Sequence, residues 1–174
     1  MAKARHVDDL DCDESFYLAA ARVIEVRAAE LSGHSRGFLG LDDVEPLHDM
    51  RVATRRLRAS MEIFRPCFPK RRFRRTLSEV KALADALGER RDRDVAIREL
   101  ESFAAAGPPG CGEGVGTLVE EIRAEQRSVN ESLESEITPE RLAALADELD
   151  RLVASARRKA GQGDLRAGPR EERR

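Results

Sequence analysis

The chain has 174 residues and a formal net charge of −2; 41% of it is hydrophobic, 37% charged and only 4% aromatic, with no Trp and a single Tyr. That length suffices for one domain with a real core, and the shortage of aromatics suits helices packed through aliphatic side chains better than an all-β sandwich. No apolar run approaches the ~18 residues of a membrane span. The polar, acidic start at Met1–Asp13 does not read as a secretory leader. Cys12, Cys67 and Cys111 lack CxxC spacing and fit neither a disulfide framework nor a zinc finger. A soluble cytoplasmic protein is the expectation.

Taken in chain order, residues 1–14 read as a disordered acidic lead-in. Their carboxylates Asp8, Asp9, Asp11, Asp13 and Glu14 lack the glycine and closing glutamate of an EF-hand loop. A first helix spans Ser15 to Leu31, followed by a loop over Ser32–Gly37. Asp42 or Asp43 caps a second helix, with Pro46 in its first turn, running to about Phe64. Pro66 and Pro69 bracket a break. A third helix runs from Lys70 to Leu87, closed by Gly88 as a C-cap. A fourth opens at Asp92 or Asp94 and ends near Ala106. The stretch Gly107–Gly114 reads as a flexible linker. A fifth helix covers Val115–Glu136. Thr138 and Pro139 open a sixth, running to about Lys159. Residues 161–174 read as a disordered tail.

Four of these segments carry apolar seams in steps of three and four: Leu47, Met50, Thr54, Leu57, Met61 and Phe64; Phe73, Leu77, Val80, Ala84 and Leu87; Leu118, Ile122, Val129 and Leu133; Leu142, Leu145, Leu149, Leu152 and Ala156. No strand-like alternation competes. The fold class is therefore all-α, an antiparallel bundle of about six helices spanning residues 15–160.

The small net charge hides a polarised chain. His48–Arg98 holds 15 Lys+Arg against 7 Asp+Glu, a net +8; the remainder holds 16 against 26, a net −10. A basic centre in an acidic chain marks a polyanion site, or a surface neutralised by the acidic flanks. On a helical wheel with Leu47 at zero, Arg58, Arg51, Arg55 and His48 fall at about 20°, 40°, 80° and 100°, beside the apolar seam. With Phe73 at zero, Lys70, Lys81 and Arg74 fall at about 60°, 80° and 100°. If the two helices pack side by side, these files line one groove. Cations at the edge of a seam are partly desolvated and repel one another, so they need carboxylates or an external anion. Arg suits phosphate because its planar fork donates two parallel hydrogen bonds. Arg56, at about 180°, points elsewhere. Lys70, Arg71, Arg72, Arg74 and Arg75 crowd a helix start, where the dipole disfavours cations. Cys67, between two prolines and among cations, could have a lowered thiol pKa.

The run His48-Asp49-Met50-Arg51-Val52-Ala53-Thr54-Arg55-Arg56-Leu57-Arg58 resembles the CHAD domain, the conserved histidine α-helical domain. Its pattern is His, Arg three residues on, then Arg-Arg-Leu-Arg. Leu87-Gly88-Glu89-Arg90-Arg91-Asp92-Arg93-Asp94-Val95 is similar to the family's second signature, and the two stand in the expected order. The resemblance implies two pseudo-symmetric four-helix units that bind inorganic polyphosphate through basic side chains lining a pore or groove. It also implies location at polyphosphate granules. By position it carries over to His48, Arg51, Arg55, Arg56, Arg58, Arg90 and Arg91; read from their own surroundings, Arg90, Arg91, Asp92 and Asp94 equally form a capping and salt-bridge network. Family members are usually nearly twice this length. After Gly114 there is no second His-x-x-Arg file, and the fifth and sixth helices together are acidic. The chain thus resembles one half of the domain: a half-length member that restores the other half as a homodimer, or a fragment.

The expected function is a non-catalytic, polyphosphate-binding module needing no cofactor or metal. Its candidate contacts are His48, Arg51, Arg55, Arg56, Arg58, Lys70, Arg71, Arg74, Lys81, Arg90 and Arg91. The alternatives are a nucleic-acid-binding module, weakened by scarce aromatic platforms and no helix-turn-helix pattern, or a scaffold docking an acidic protein. No P-loop or nucleophile elbow suggests an enzyme, and no partner membrane is expected.

Overall fold

A computed structural model describes residues 3–41, 43–107 and 111–162. It is all-helical over those residues, with five helices rather than six: α1 (Phe16–Gly33), α2 (Glu45–Ile63), α3 (Lys70–Ala106), α4 (Cys111–Glu136) and α5 (Pro139–Gly161), plus a 3-10 turn at Arg65–Cys67.

The local chemistry explains most boundaries. Asp43 Oδ1 accepts from the Glu45 amide at 3.0 Å, so Asp43 tethers the start of α2, with Pro46 in its first turn. Asp42 lies outside the described residues. Pro66 ends α2 through the 3-10 turn, because proline cannot donate the next helical hydrogen bond. Thr138 Oγ1 accepts from the Arg141 amide at 3.2 Å, and Arg158 and Lys159 sit in the last turn of α5, where the dipole favours cations.

Two boundaries differ from the expectation. Gly88 does not cap α3; the helix passes through it for 37 residues, about 55 Å. Glycine costs only about 1 kcal/mol inside a helix, and packing on both sides outweighs that: Leu87 and Arg90 are fully buried. Likewise α4 begins at Cys111, inside the expected linker, with Glu113 in its first turn as the helix dipole favours. Residues 108–110 of that linker, and residues 163–174 of the expected tail, lie outside the described residues.

The core joins Ile24, Leu47, Met50, Leu57, Met61, Phe73, Val80, Leu87, Leu149 and Leu152, all essentially without solvent exposure. α1 packs chiefly on α5 and α2, α2 on α3, and α3 on α4. The seams predicted for α2, α3 and α5 are the ones that face this core, with Phe64, Leu77 and Leu142 at its partly buried edge. The α4 seam holds at its C-terminal end, where Leu133 is buried and Val129 packs against the core, but not at its start: Leu118 is 43% exposed, while Val119, Gln126 and Asn130 are buried. The main apolar cluster takes α3 only as far as Leu87 and α4 only from its last turns. Beyond it the two helices continue as an antiparallel hairpin. Its cross-links include Gln126 Nε2 to Asp94 Oδ1 at 2.7 Å, Arg123 to Glu101 at 2.6 Å and Arg93 to Glu125 at 3.4 Å.

The lead-in runs against α1. The Arg5 amide donates to the Glu30 carboxylate, Arg27 donates to the Arg5 carbonyl at 2.9 Å, and Arg22 donates to the Asp9 carbonyl. Sequence composition held no sign of these contacts. Among the described residues no helix is long and apolar enough to cross a membrane.

Candidate functional site

The antiparallel contact of α2 and α3 is registered by an ion pair, Glu62 Oε1 to Lys81 Nζ at 3.1 Å. From there the helical repeat places Arg58, Arg55 and Arg51 successively further along α2, and Arg74 and Lys70 along α3 in the opposite sense. Arg51 and Arg58 are half-buried; Arg55, Arg65, Lys70, Arg71, Arg74 and Lys81 are exposed. Near the α2 C-terminus the helices leave a cavity of about 450 Å³, lined by Glu62, Arg65, Phe73, Arg74, Leu77, Ser78 and Lys81. Phe73 and Leu77 form its apolar side, and three cations surround one carboxylate.

Most of these cations are unpaired. Among the described residues, no carboxylate lies within ion-pair distance of Arg51, Arg55, Arg58, Arg65, Lys70, Arg71 or Arg74. By contrast, neighbours that point away do pair: Arg72 with Glu148 at 3.5 Å and Arg75 with Glu79 at 3.3 Å. His48 stands half-buried at the start of the α2 file. Its Nδ1 is buried without a hydrogen-bond partner among the described residues. The face is a surface of concentrated positive charge, whose mutual repulsion is not relieved by ion pairs among the described residues.

Other sequence candidates fall elsewhere. Arg90 is 0% exposed and pairs with buried Asp94 inside the α3–α4 hairpin, and Arg91 lies 3.9 Å from the other Asp94 oxygen. Burial, then the Arg91 charge, pull the Arg90 guanidinium below its ordinary pKa. Arg90 is therefore taken up by a buried pair and does not reach the surface, while half-buried Arg91 stands one residue further along α3, which continues through the signature around Gly88 into the hairpin. Arg56 faces α1. Burial opposes ionisation of Glu30, but the Arg5 amide, Arg27 and the Arg56 charge hold its carboxyl below the usual range. Arg71 is turned about 80° from the file of Lys70, Arg74 and Lys81, at the groove's outer margin.

Arg65 was missed by the sequence reading. It lies seven residues after Arg58, so it continues the α2 file, but the Pro66 break concealed that continuity. Cys67 also differs from expectation: burial pushes its thiol up to about 11, against a weaker opposing effect of Lys159. Its Sγ donates to the Phe16 carbonyl at 3.7 Å. A larger cavity, about 830 Å³, lies between the end of α1 and the start of α5, lined mainly by Leu31, Phe38, Ile137, Leu142 and Leu149. It is apolar and away from the cationic face. Among the described residues no three His, Cys, Asp or Glu side chains gather as metal ligands would.

The family model of the CHAD domain matches residues 22–173. No curated protein matches the chain. The match spans both signatures, the whole cationic face and the hairpin, and the chain belongs to the CHAD domain family.

Proposed function

We propose that this CHAD domain binds linear inorganic polyphosphate along the α2–α3 face and holds it without covalent chemistry. The observation that carries the reading is the set of cations without an ion-pair partner among the described residues, Arg51, Arg55 and Arg58 on one side of the Glu62–Lys81 pair and Arg65, Arg74 and Lys70 toward the other, which together form one continuous track. A surface neutralised by its own flanks would have paired them. A chain with a negative charge on every repeat satisfies such a track successively, and each arginine can grip two oxygens of one phosphate. His48 supports the first turn of the α2 file with its unpartnered ring nitrogen.

Single-stranded nucleic acid fits less well. Its affinity rests heavily on base stacking, yet the aromatic ring lining the cavity, Phe73, is only 2% exposed. Recruitment to polyphosphate granules follows from the proposed affinity. A dimer would put two such grooves on one particle, and light scattering at micromolar concentration decides that point.

Titration with long-chain polyphosphate at near-physiological salt, beside duplex and single-stranded DNA, tests the reading. Wild type should bind polyphosphate well above DNA of matched charge. The Arg51/Arg55/Arg58→Ala variant should lose at least tenfold in affinity with its helical content intact. With about five phosphates neutralised, log K should fall with log salt at a slope of roughly −3 to −4, taking single-stranded nucleic acid as the guide. Binding indifferent to the three arginines would sink the proposal.

A further inference from the structure

We infer that Glu62 is a specificity-determining residue that makes the α2–α3 groove favour long phosphate chains over short ones; this rests on the polyphosphate reading of the same face. Arg51, Arg55, Arg58, Glu62 and Arg65 follow one another in steps of four, three, four and three, so they share one face of α2 and its continuation. Glu62 is the one carboxylate in that file. It is also the one carboxylate lining the 450 Å³ cavity, where Arg65, Arg74 and Lys81 surround it. Asp85 follows Lys81 on α3, but it is exposed and outside that lining.

The pair between Glu62 and Lys81 spans 3.1 Å, with 47% of each side chain exposed. A phosphate entering the cavity therefore meets Lys81 already occupied. It must share that ammonium with Glu62 or displace it, while repelled by the carboxylate. A short anion seated in the cavity bears the whole repulsion, with three cations less one carboxylate around it. A long chain is held by Arg51, Arg55 and Arg58 together and need not seat a phosphate beside Glu62, so it escapes most of that repulsion. Glu62 thus penalises free phosphate and short oligophosphates more than the polymer, a discrimination made by repulsion rather than by an added attraction. The carboxylate is half in solvent, so water and salt screen it, and its effect is modest.

The test uses isothermal titration of the full chain with tripolyphosphate and with long-chain polyphosphate. Wild type, Glu62→Gln and Arg51/Arg55/Arg58→Ala are compared at two salt concentrations. Glutamine keeps the size and a hydrogen bond toward Lys81 but removes the charge. Glu62→Gln should bind tripolyphosphate about three- to tenfold more tightly, gain less than threefold for the long chain, and lose the tripolyphosphate advantage at high salt. Its thermal midpoint should match wild type, because the pair is exposed. If wild type binds long chains through the three arginines but Glu62→Gln changes both affinities equally, lowers them or leaves them alone, the role of Glu62 is overturned and the polyphosphate reading stands. If wild type fails to bind the long chain, both are overturned.

Discussion

Lys70, Arg71 and Arg72 occupy the first turn of α3, which has no acidic residue, so three cations sit at the positive end of the helix dipole. Arg71 has no carboxylate partner among the described residues. Arg71→Glu should therefore stabilise the fold by about 0.3–1 kcal/mol in urea unfolding while weakening polyphosphate binding. Opposite signs in the two measurements would separate a ligand-serving cation from a structural one. The reverse case is Arg90. It is buried with Asp94, which also accepts from Gln126, and its guanidinium has no second carboxylate within 4.0 Å among the described residues. Breaking the pair by Arg90→Met leaves Asp94 buried and charged, and should cost about 3–5 kcal/mol. Replacing both partners with Met and Leu should recover most of that loss. In the sequence these two kinds of arginine look alike. Only the fold separates them, because α2 and α3 are amphipathic in a way that leaves Arg55 and Arg74 in solvent but turns Arg90 toward α4.

The elements were legible where side-chain periodicity and capping residues agreed. α2 and α5 have both, an Asp43 or Thr138 tether with proline in the first turn, and they lie within two residues of their expected bounds. Gly88 misled because glycine closes helices only when the chain turns there. Here the chain continues, and a Cβ at Gly88 would meet no atom within 4 Å. Gly88→Ala should thus raise stability by about 0.5–1 kcal/mol, read as a higher urea midpoint with an unchanged slope. A loss of stability would mean that α3 needs the glycine as a hinge. The α4 seam held only in part for a related reason. Gln126 and Asn130 occupy buried positions, so polar residues break the apolar repeat from which the helix face was read.

Across the whole molecule, charge is segregated by what each helix touches. The lead-in is tied to α1 through Glu30, whose carboxyl is held below the usual range. A carboxylate with a depressed folded pKa adds stability that is complete above its unfolded value and is lost as pH falls through the folded one. The Glu30 contribution should therefore persist at neutral pH and fade below about pH 4.3. Stability measured against pH should show a shallower acid limb in Glu30→Gln than in wild type; parallel limbs would remove Glu30 from the acid response. The helical class, the basic centre, the α2 arginine file and the family resemblance were all determined by sequence, because they depend on composition and local repeat. Tertiary structure decided which cations lack carboxylates, that Arg65 extends the file past a proline, that Arg90 is taken up by a buried pair, and that Glu62 sits among the groove cations. Those facts depend on which helix faces meet and on how far each side chain stands from charges distant in sequence, and no local pattern carries that information.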